Sequence, residues 1–327
     1  MILAGDTGGT KTRLALYEQR NGKFFRQQTE TFASPDFPSL EEIIRTFLAK
    51  NHVSVKQACF GVPGPVVDGR AVSTNLPWLT DERHITKTLN ISSVRLVNDL
   101  VATTSALPFL NPEELLTLHP GVRTGKETTF GVVAPGTGTG VGILYKAGEQ
   151  FLPLPSEGGH ADFAPNTAIE IELLKYLLAK HRRVSYERVL CGPGLVNIYN
   201  FLKDTGVAAE PPELANKMRE ENPAAVISAT GQTGEFEICV IALDIFVSVL
   251  GALAGSLTLM MLTTGGVYLG GGIPPKITQK LLDGTVVKAF SNKGRLSDFV
   301  KSVPLYVIRD DHAALLGSAY LASRLAN

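Results

Sequence analysis

The chain has 327 residues, with 31 Lys plus Arg against 31 Asp plus Glu and no long block of like charge. That length exceeds one usual globular core, so two lobes are expected, and the balanced charge argues against nucleic acid as a partner. Its three cysteines, Cys59, Cys191 and Cys239, are scattered without Cys-x-x-Cys spacing, which speaks against a disulfide framework or thiolate zinc site and for a reducing cytoplasm.

Ile2 to Thr31 reads as a strand meander: a short apolar entry, the run Gly5-Asp6-Thr7-Gly8-Gly9-Thr10-Lys11-Thr12, a strand at Leu14 to Tyr17, and a turn at Asn21-Gly22 before a third strand. So few β-carbons in the first turn let backbone N–H groups close around a phosphate. Threonine hydroxyls add donors, and the lone carboxylate of Asp6 can hold a hydrated Mg²⁺. A tight hairpin is the competing reading of such a turn. The P-loop pattern fails because Thr10, not glycine, precedes Lys11. A charge as early as Asp6 argues against a secretory signal.

Ser39-Leu40-Glu41-Glu42 matches a capping box, and Ile43, Ile44, Phe47 and Leu48 continue it at helical spacing. A strand at Gln57 to Val62, a helix from Asp81 to Leu89 and a strand from Val94 to Val97 follow, the last ending in Asn98-Asp99. Ligands gather at such strand ends in open α/β sheets. Asn98-Asp99 reads either as an Asx cap for the next helix or as an orienting amide beside a general base. Asn111-Pro112-Glu113-Glu114 looks like an N-cap, N1 proline and acidic first turn, and the passage into a second lobe is placed near it.

That lobe restarts with the same grammar. Thr128 to Ala134 is strand-like, Gly136-Thr137-Gly138-Thr139-Gly140 forms a second glycine-threonine turn, and Val141 to Tyr145 is a strand again. Glu157-Gly158-Gly159-His160 is a poor helix or strand. Its carboxylate and imidazole can be aimed at one polyol, the first accepting and the second both donating and accepting. Zinc is disfavoured, since the six histidines form no His-x-x-x-His or His-x-His pair. Glu187, after Ser185, reads on its own as an acid at a helix start. Ile245 to Leu262 is uncharged and long enough to span a membrane, with a Gly251-x-x-x-Gly255 pair. Without basic or aromatic flanks it is expected to be a buried helix whose glycines pack against a sheet. Val267 to Leu269 is a strand running into Gly270-Gly271-Gly272, and the chain closes with a strand at Leu305 to Ile308 and a helix from Asp311 to Leu325. No Rossmann fingerprint and no Gly-x-Ser-x-Gly elbow is present, which removes support for nicotinamide or covalent chemistry.

Taken together, Gly-Asp-Thr-Gly-Gly-Thr at 5 to 10, Thr-Asn-Leu-Pro-Trp at 74 to 78, Val-Asn-Asp at 97 to 99, Gly-Thr-Gly-Thr-Gly at 136 to 140, Glu-Gly-Gly-His at 157 to 160, Ser-Tyr-Glu-Arg-Val-Leu-Cys-Gly-Pro-Gly at 185 to 194 and Gly-Gly-Gly-Ile at 270 to 273 resemble the bacterial glucokinases over nearly the full chain. The resemblance implies an actin-like (ribonuclease H-like) two-lobed α/β ATPase fold with its active-site cleft between the lobes. Residues 1–110 plus 302–327 would form the small domain and 111–301 the large one. It also implies transfer of the ATP γ-phosphate to the 6-hydroxyl of glucose, with Asp99 as base and Asn75, Asn98, Glu157, His160 and Glu187 around the sugar. Gly5, Asp6, Thr7, Gly8, Gly9 and Thr10, with Gly136, Thr137, Gly138 and the rest of the turn to Gly140, would line the phosphates; Gly270, Gly271 and Gly272 would lie near the adenosine. Mg²⁺ would bind at Asp6 through water. A cytoplasmic homodimer without nucleic-acid or membrane partners is expected.

Departures from the family pattern are Lys11-Thr12, Ser156 and Thr139, the last where a larger apolar residue is frequent. The related repressor, open-reading-frame and kinase branch is disfavoured, because Asp162-Phe163-Ala164-Pro165 stands in place of its cysteine-rich motif. Rival readings are a kinase of fructose, mannose or an N-acetylated sugar, a non-catalytic sugar sensor, and an ATP-driven chaperone. The phosphate turn beginning at Gly5 leaves no room for a sensor's DNA-binding helices.

Overall fold

A computed structural model of the chain describes residues 1–72 and 78–325. It divides into two compact units, one of Met1–Glu114, Phe151–Leu154 and Asp310–Asn327, the other of Leu115–Gln150 and Pro155–Arg309.

The first unit opens with β1 (Ile2–Thr7), β2 (Lys11–Arg20), β3 (Lys23–Ala33), α1 (Leu40–Asn51) and β4 (Gln57–Val62). The short pair β5 (Arg70–Val72) and β6 (Leu79–Asp81) follows, then α2 (Glu82–Leu89), β7 (Ser93–Asn98) and α3 (Asp99–Ala106). Asn21 and Gly22 both take left-handed φ, 51° and 75°, the geometry that lets a two-residue turn follow strand twist and closes the β2–β3 hairpin. The sheet runs β3-β2-β1-β4-β7, with β1, β4 and β7 parallel. Three C-terminal strand ends therefore lie along one edge. Leu3, Leu16, Phe47, Phe60 and Trp78 belong to the core beneath it.

In the second unit come β8 (Leu115–His119), β9 (Thr129–Pro135), β10 (Thr139–Ala147) and β11 (Gln150–Leu154, all but its first residue counted with the first unit). After them follow α4 (Ala168–Leu178), α5 (Gly192–Asp204), α6 (Pro212–Glu220), α7 (Pro223–Thr233) and α8 (Glu237–Met261). β12 (Val267–Leu269), α9 (Thr278–Leu281), α10 (Thr285–Ser291), α11 (Ser297–Lys301) and β13 (Leu305–Ile308) complete it. Its strands lie in the order β10-β9-β12-β13-β8. In both units an antiparallel hairpin is followed by two strands parallel to its first arm: β2-β1-β4-β7 in one, β10-β9-β12-β13 in the other. α12 (Ala313–Ser323) returns to the first unit. Its Gly317 lies so close to α3 that an added Cβ would stand 1.7 Å from the Ala102 carbonyl, and Ser318 donates to the Gly5 carbonyl.

Three local expectations need correction. Ser39 caps α1 through the Glu42 N–H, but Glu42 turns its carboxylate to Arg45 and so only half of a capping box forms. Asn111-Pro112-Glu113-Glu114 starts no helix. It makes one 3₁₀ turn and runs into β8, whose Leu115 to His119 pair antiparallel with β13, a distant partner that no local signal announces. α8 has the length and composition of a membrane span, yet 78% of its most apolar stretch is buried inside the second unit. Its Gly251 and Gly255 seat α10 and not a sheet: added Cβ atoms would stand 2.3 Å from the Val286 carbonyl and 2.2 Å from that of Phe290.

Candidate functional site

The first set of site residues sits where β1, β4 and β7 end. Gly8-Gly9-Thr10 joins β1 to β2, held by the Gly8 N–H donating to the Lys11 carbonyl at 2.9 Å and by Ser34, whose hydroxyl donates to the Gly8 carbonyl. Gly5 lies a step back, buried within β1, where an added Cβ would strike the Phe60 ring at 2.3 Å. Its glycine requirement is one of packing and not of the turn. Asp6, 24% exposed at its side chain, meets Arg13 across the hairpin at 3.5 Å, and Arg13 also pairs with Asp311 at 3.0 Å. Desolvation pushes the Asp6 carboxyl above the usual range; the Arg13 charge opposes this, and the charge of Asp99 adds to it. The Thr7 hydroxyl is buried without a hydrogen-bond partner.

Asn98 and Asp99 stand at the junction of β7 and α3. Asn98 caps α3: its Oδ1 accepts from the Leu100 N–H at 2.9 Å and its Nδ2 donates to the Gly64 carbonyl at 3.1 Å. The Asx-cap reading thus describes what this side chain does here. Asp99 accepts from the same N–H through Oδ1 at 2.8 Å, leaving Oδ2 for another proton donor. Gly61 on β4 lets α3 start close to the sheet, since its absent Cβ would lie 3.4 Å from the Asp99 Cα. The Asp99 residue is exposed, but the protein mass around the carboxyl raises it above the usual range, against the Leu100 N–H and Asn98 bonds that lower it. Asn75 lies outside the described residues.

In the second unit the glycine turns after β9 and β12 abut. Gly136 N–H donates to the Gly138 carbonyl at 2.8 Å, Thr137 is exposed at the tip, and the Gly136 carbonyl accepts from the Gly192 N–H where α5 begins. Gly270 bonds back to Val133 at 2.9 Å. Gly271, at φ 78°, passes so near the Pro135 carbonyl that a Cβ would stand 2.5 Å from it, and Gly272 N is 3.6 Å from a Cβ position on Gly136. With glycine at so many positions, the backbone of these turns lets an anion approach closely.

Glu157 and His160 flank one 3₁₀ turn, both exposed. Ser156 steadies it by accepting from the Gly158 N–H at 3.0 Å, and Arg183 donates to the His160 carbonyl at 2.6 Å. A short antiparallel ladder, Phe163 N–H to the Val184 carbonyl and Tyr186 N–H to the Ala161 carbonyl, brings this turn beside the segment carrying Glu187. Glu187 does more than face a helix start. Its Oε2 accepts from the Thr139 N–H at 2.9 Å and lies 2.5 Å from where a Gly138 Cβ would be. Sequence reasoning placed Thr139 in the phosphate turn but not against Glu187, and did not assign Arg13 or Arg183 to the site. Their partners lie 48, 298 and 23 residues away for Glu187, Asp311 and His160, so local pattern carries no trace of the pairing.

Comparison with known proteins identifies the family. A family model described as Glucokinase matches residues 3–325. The glucokinase of a Nostoc species is 39% identical, covering 99% of each chain, and that of Salmonella arizonae is 35% identical over 99% of this chain and 98% of its own. The crystal structure of a glucokinase from an Antarctic psychrotroph superposes with a TM-score of 0.89 at 31% identity, covering 99% of both. A Streptomyces griseus glucokinase of the repressor-related family, solved with glucose and AMPPNP, shares the fold at a TM-score of 0.65 and 18% identity over 99% of each chain. The chain belongs to the glucokinase family, enzymes that phosphorylate glucose with ATP.

Proposed function

We propose that the chain transfers the γ-phosphate of ATP to the 6-hydroxyl of glucose with Asp99 as general base, the first unit serving as small lobe and the second as large. The observation that carries this is Asp99 itself. Its carboxyl stands at the end of β7 with one oxygen held by the Leu100 N–H, the other left for a proton donor, and its proton affinity raised above that of an ordinary carboxylate, which suits a base. Asn98, Glu157, His160 and Glu187 hold the sugar hydroxyls. Glu157 and His160 stand exposed on one turn, where an acceptor and a donor-acceptor meet a polyol. Asn75 joins this set by family resemblance. Gly8-Gly9-Thr10 and Gly136-Thr137-Gly138 cradle the phosphates, and Gly270 to Gly272 border the nucleoside. In such a reaction positioning supplies most of the acceleration.

The residues present fit a hydrated magnesium ion near β1: a hard carboxylate oxygen on Asp6, which burial and the Asp99 charge raise in proton affinity, and the unpartnered Thr7 hydroxyl. Asp6 would hold it through water, and when bound it neutralises the phosphate oxygens. We take the enzyme to be a cytoplasmic homodimer with no nucleic-acid or membrane partner; three buried, unpaired cysteines and the enclosure of α8 support the compartment. A hexose panel with coupled ADP detection tests the reading. Glucose should give the highest kcat/KM, and a higher value with fructose, mannose or an N-acetylated sugar would reassign the substrate.

A further inference from the structure

Three stretches of the second unit meet at Thr139. Its backbone N–H donates to Glu187 Oε2, its hydroxyl donates to the Leu190 carbonyl, and its own carbonyl lies where a Cβ on Gly159 would be, 1.7 Å away. Thr139 is buried and ends the Gly136 to Gly138 turn. One residue therefore touches the phosphate turn, the Glu157 to His160 turn and the segment bearing Glu187. Gly138 completes the contact, because only the absence of its Cβ leaves room for the carboxylate.

We propose that Thr139 is a positioning residue that couples the donor turn to the acceptor site by fixing the Glu187 carboxylate. The inference rests on the reading of Glu187 as a sugar ligand and of Gly136 to Gly138 as a phosphate cradle. With Oε2 anchored on the Thr139 N–H, Oε1 is turned to sugar hydroxyls in one orientation, with less rotamer freedom left to lose on binding. A phosphate that settles on the turn shifts the Thr139 N–H, and with it Glu187. By linkage, glucose must then change nucleotide affinity by the same factor as nucleotide changes glucose affinity. The coupling runs through the second unit's own backbone.

Glucose affinity measured calorimetrically on the full chain without nucleotide tests this. Glu187→Gln keeps the shape, loses the charge, and should weaken glucose about tenfold, the scale of one charged hydrogen bond. Gly138→Ala, a change in the donor turn, should also weaken glucose about tenfold, and should add less than twofold in the Glu187→Gln background. Gly192→Ala, at the start of α5 with no ligand role and whose Cβ would make only ordinary contacts with the Ala224 Cβ at 3.7 Å and the Gly136 carbonyl at 3.8 Å, should leave glucose affinity as in the wild type.

If Glu187→Gln binds glucose as the wild type does, the ligand reading itself fails. If Glu187→Gln is weakened but Gly138→Ala is within twofold of wild type, or its effect adds fully, the site reading stands and the coupling is overturned. Should Gly138→Ala not fold, the amide resonance of Thr139 in ¹⁵N-labelled wild-type chain decides. Glucose alone should shift it, and should not in Glu187→Gln; no shift in the wild type overturns the proposal.

Discussion

At the scale of single residues, the proposed mechanism turns on whether a carboxyl can take a proton, the role proposed for Asp99, whose Oδ1 accepts from the Leu100 N–H. Asp99→Asn removes the base while leaving the Leu100 N–H an acceptor oxygen. Turnover should fall about 10²- to 10⁴-fold with glucose affinity little changed and thermal stability not lowered, which stopped-flow kinetics, calorimetry and melting curves check together. Turnover near the wild-type rate would refute the base assignment. The pH profile follows in sign. A base acts only when ionised, and the Asp99 carboxyl is raised above its ordinary value by its surroundings, so kcat/KM should fall on the acid side at a pH above that ordinary value. That limb should be absent from the residual activity of Asp99→Asn. Residue types alone were enough to mark Asp6, Asp99, Glu157 and His160. They offered the Asn98 cap of α3 as one of two readings, but could not reveal that Arg13 meets Asp6 or that Glu187 rests on Thr139, since each pairing depends on which strands and turns are brought side by side.

At the scale of elements, the strands around the site were legible because their apolar runs are short and end in glycine or in Asn98-Asp99. Element type failed where distant strand pairing overrode a local start signal, as at Asn111 to Glu114, and partner identity failed for α8. Its glycine pair announces close approach, but nothing in the sequence says whether a helix or a sheet approaches. The contact with α10 makes a measurable demand. Gly251→Val drives a side chain against the Val286 carbonyl, and overpacking of this kind costs about 1–3 kcal/mol. The unfolding midpoint of the second unit should drop by on the order of 5 °C, while Gly234→Ala, in open space at a left-handed helix end, should cost less than that. Equal midpoints for Gly251→Val and wild type would show that the α8–α10 contact is looser than described.

At the scale of the whole molecule, two units repeat one strand plan, and each carries glycine turns where parallel strands end. The repetition was readable as two glycine-threonine hairpins; its extension to the following parallel strands was not, because β12 and β13 are short and distant in sequence. Enclosure has a chemical consequence for the cysteines. Cys59 is fully buried and its thiol is pushed up to about 12, so it should resist maleimides in the native enzyme at pH 8 and react once the chain unfolds. Rapid native labelling of Cys59 would contradict the packing of β4.

The central claim is that the chain joins ATP turnover to glucose. ADP release with ATP, magnesium and either glucose or buffer tests it most directly. The account predicts ADP formed in equal amount with glucose 6-phosphate and almost none without the sugar; ADP release that does not depend on glucose would contradict it.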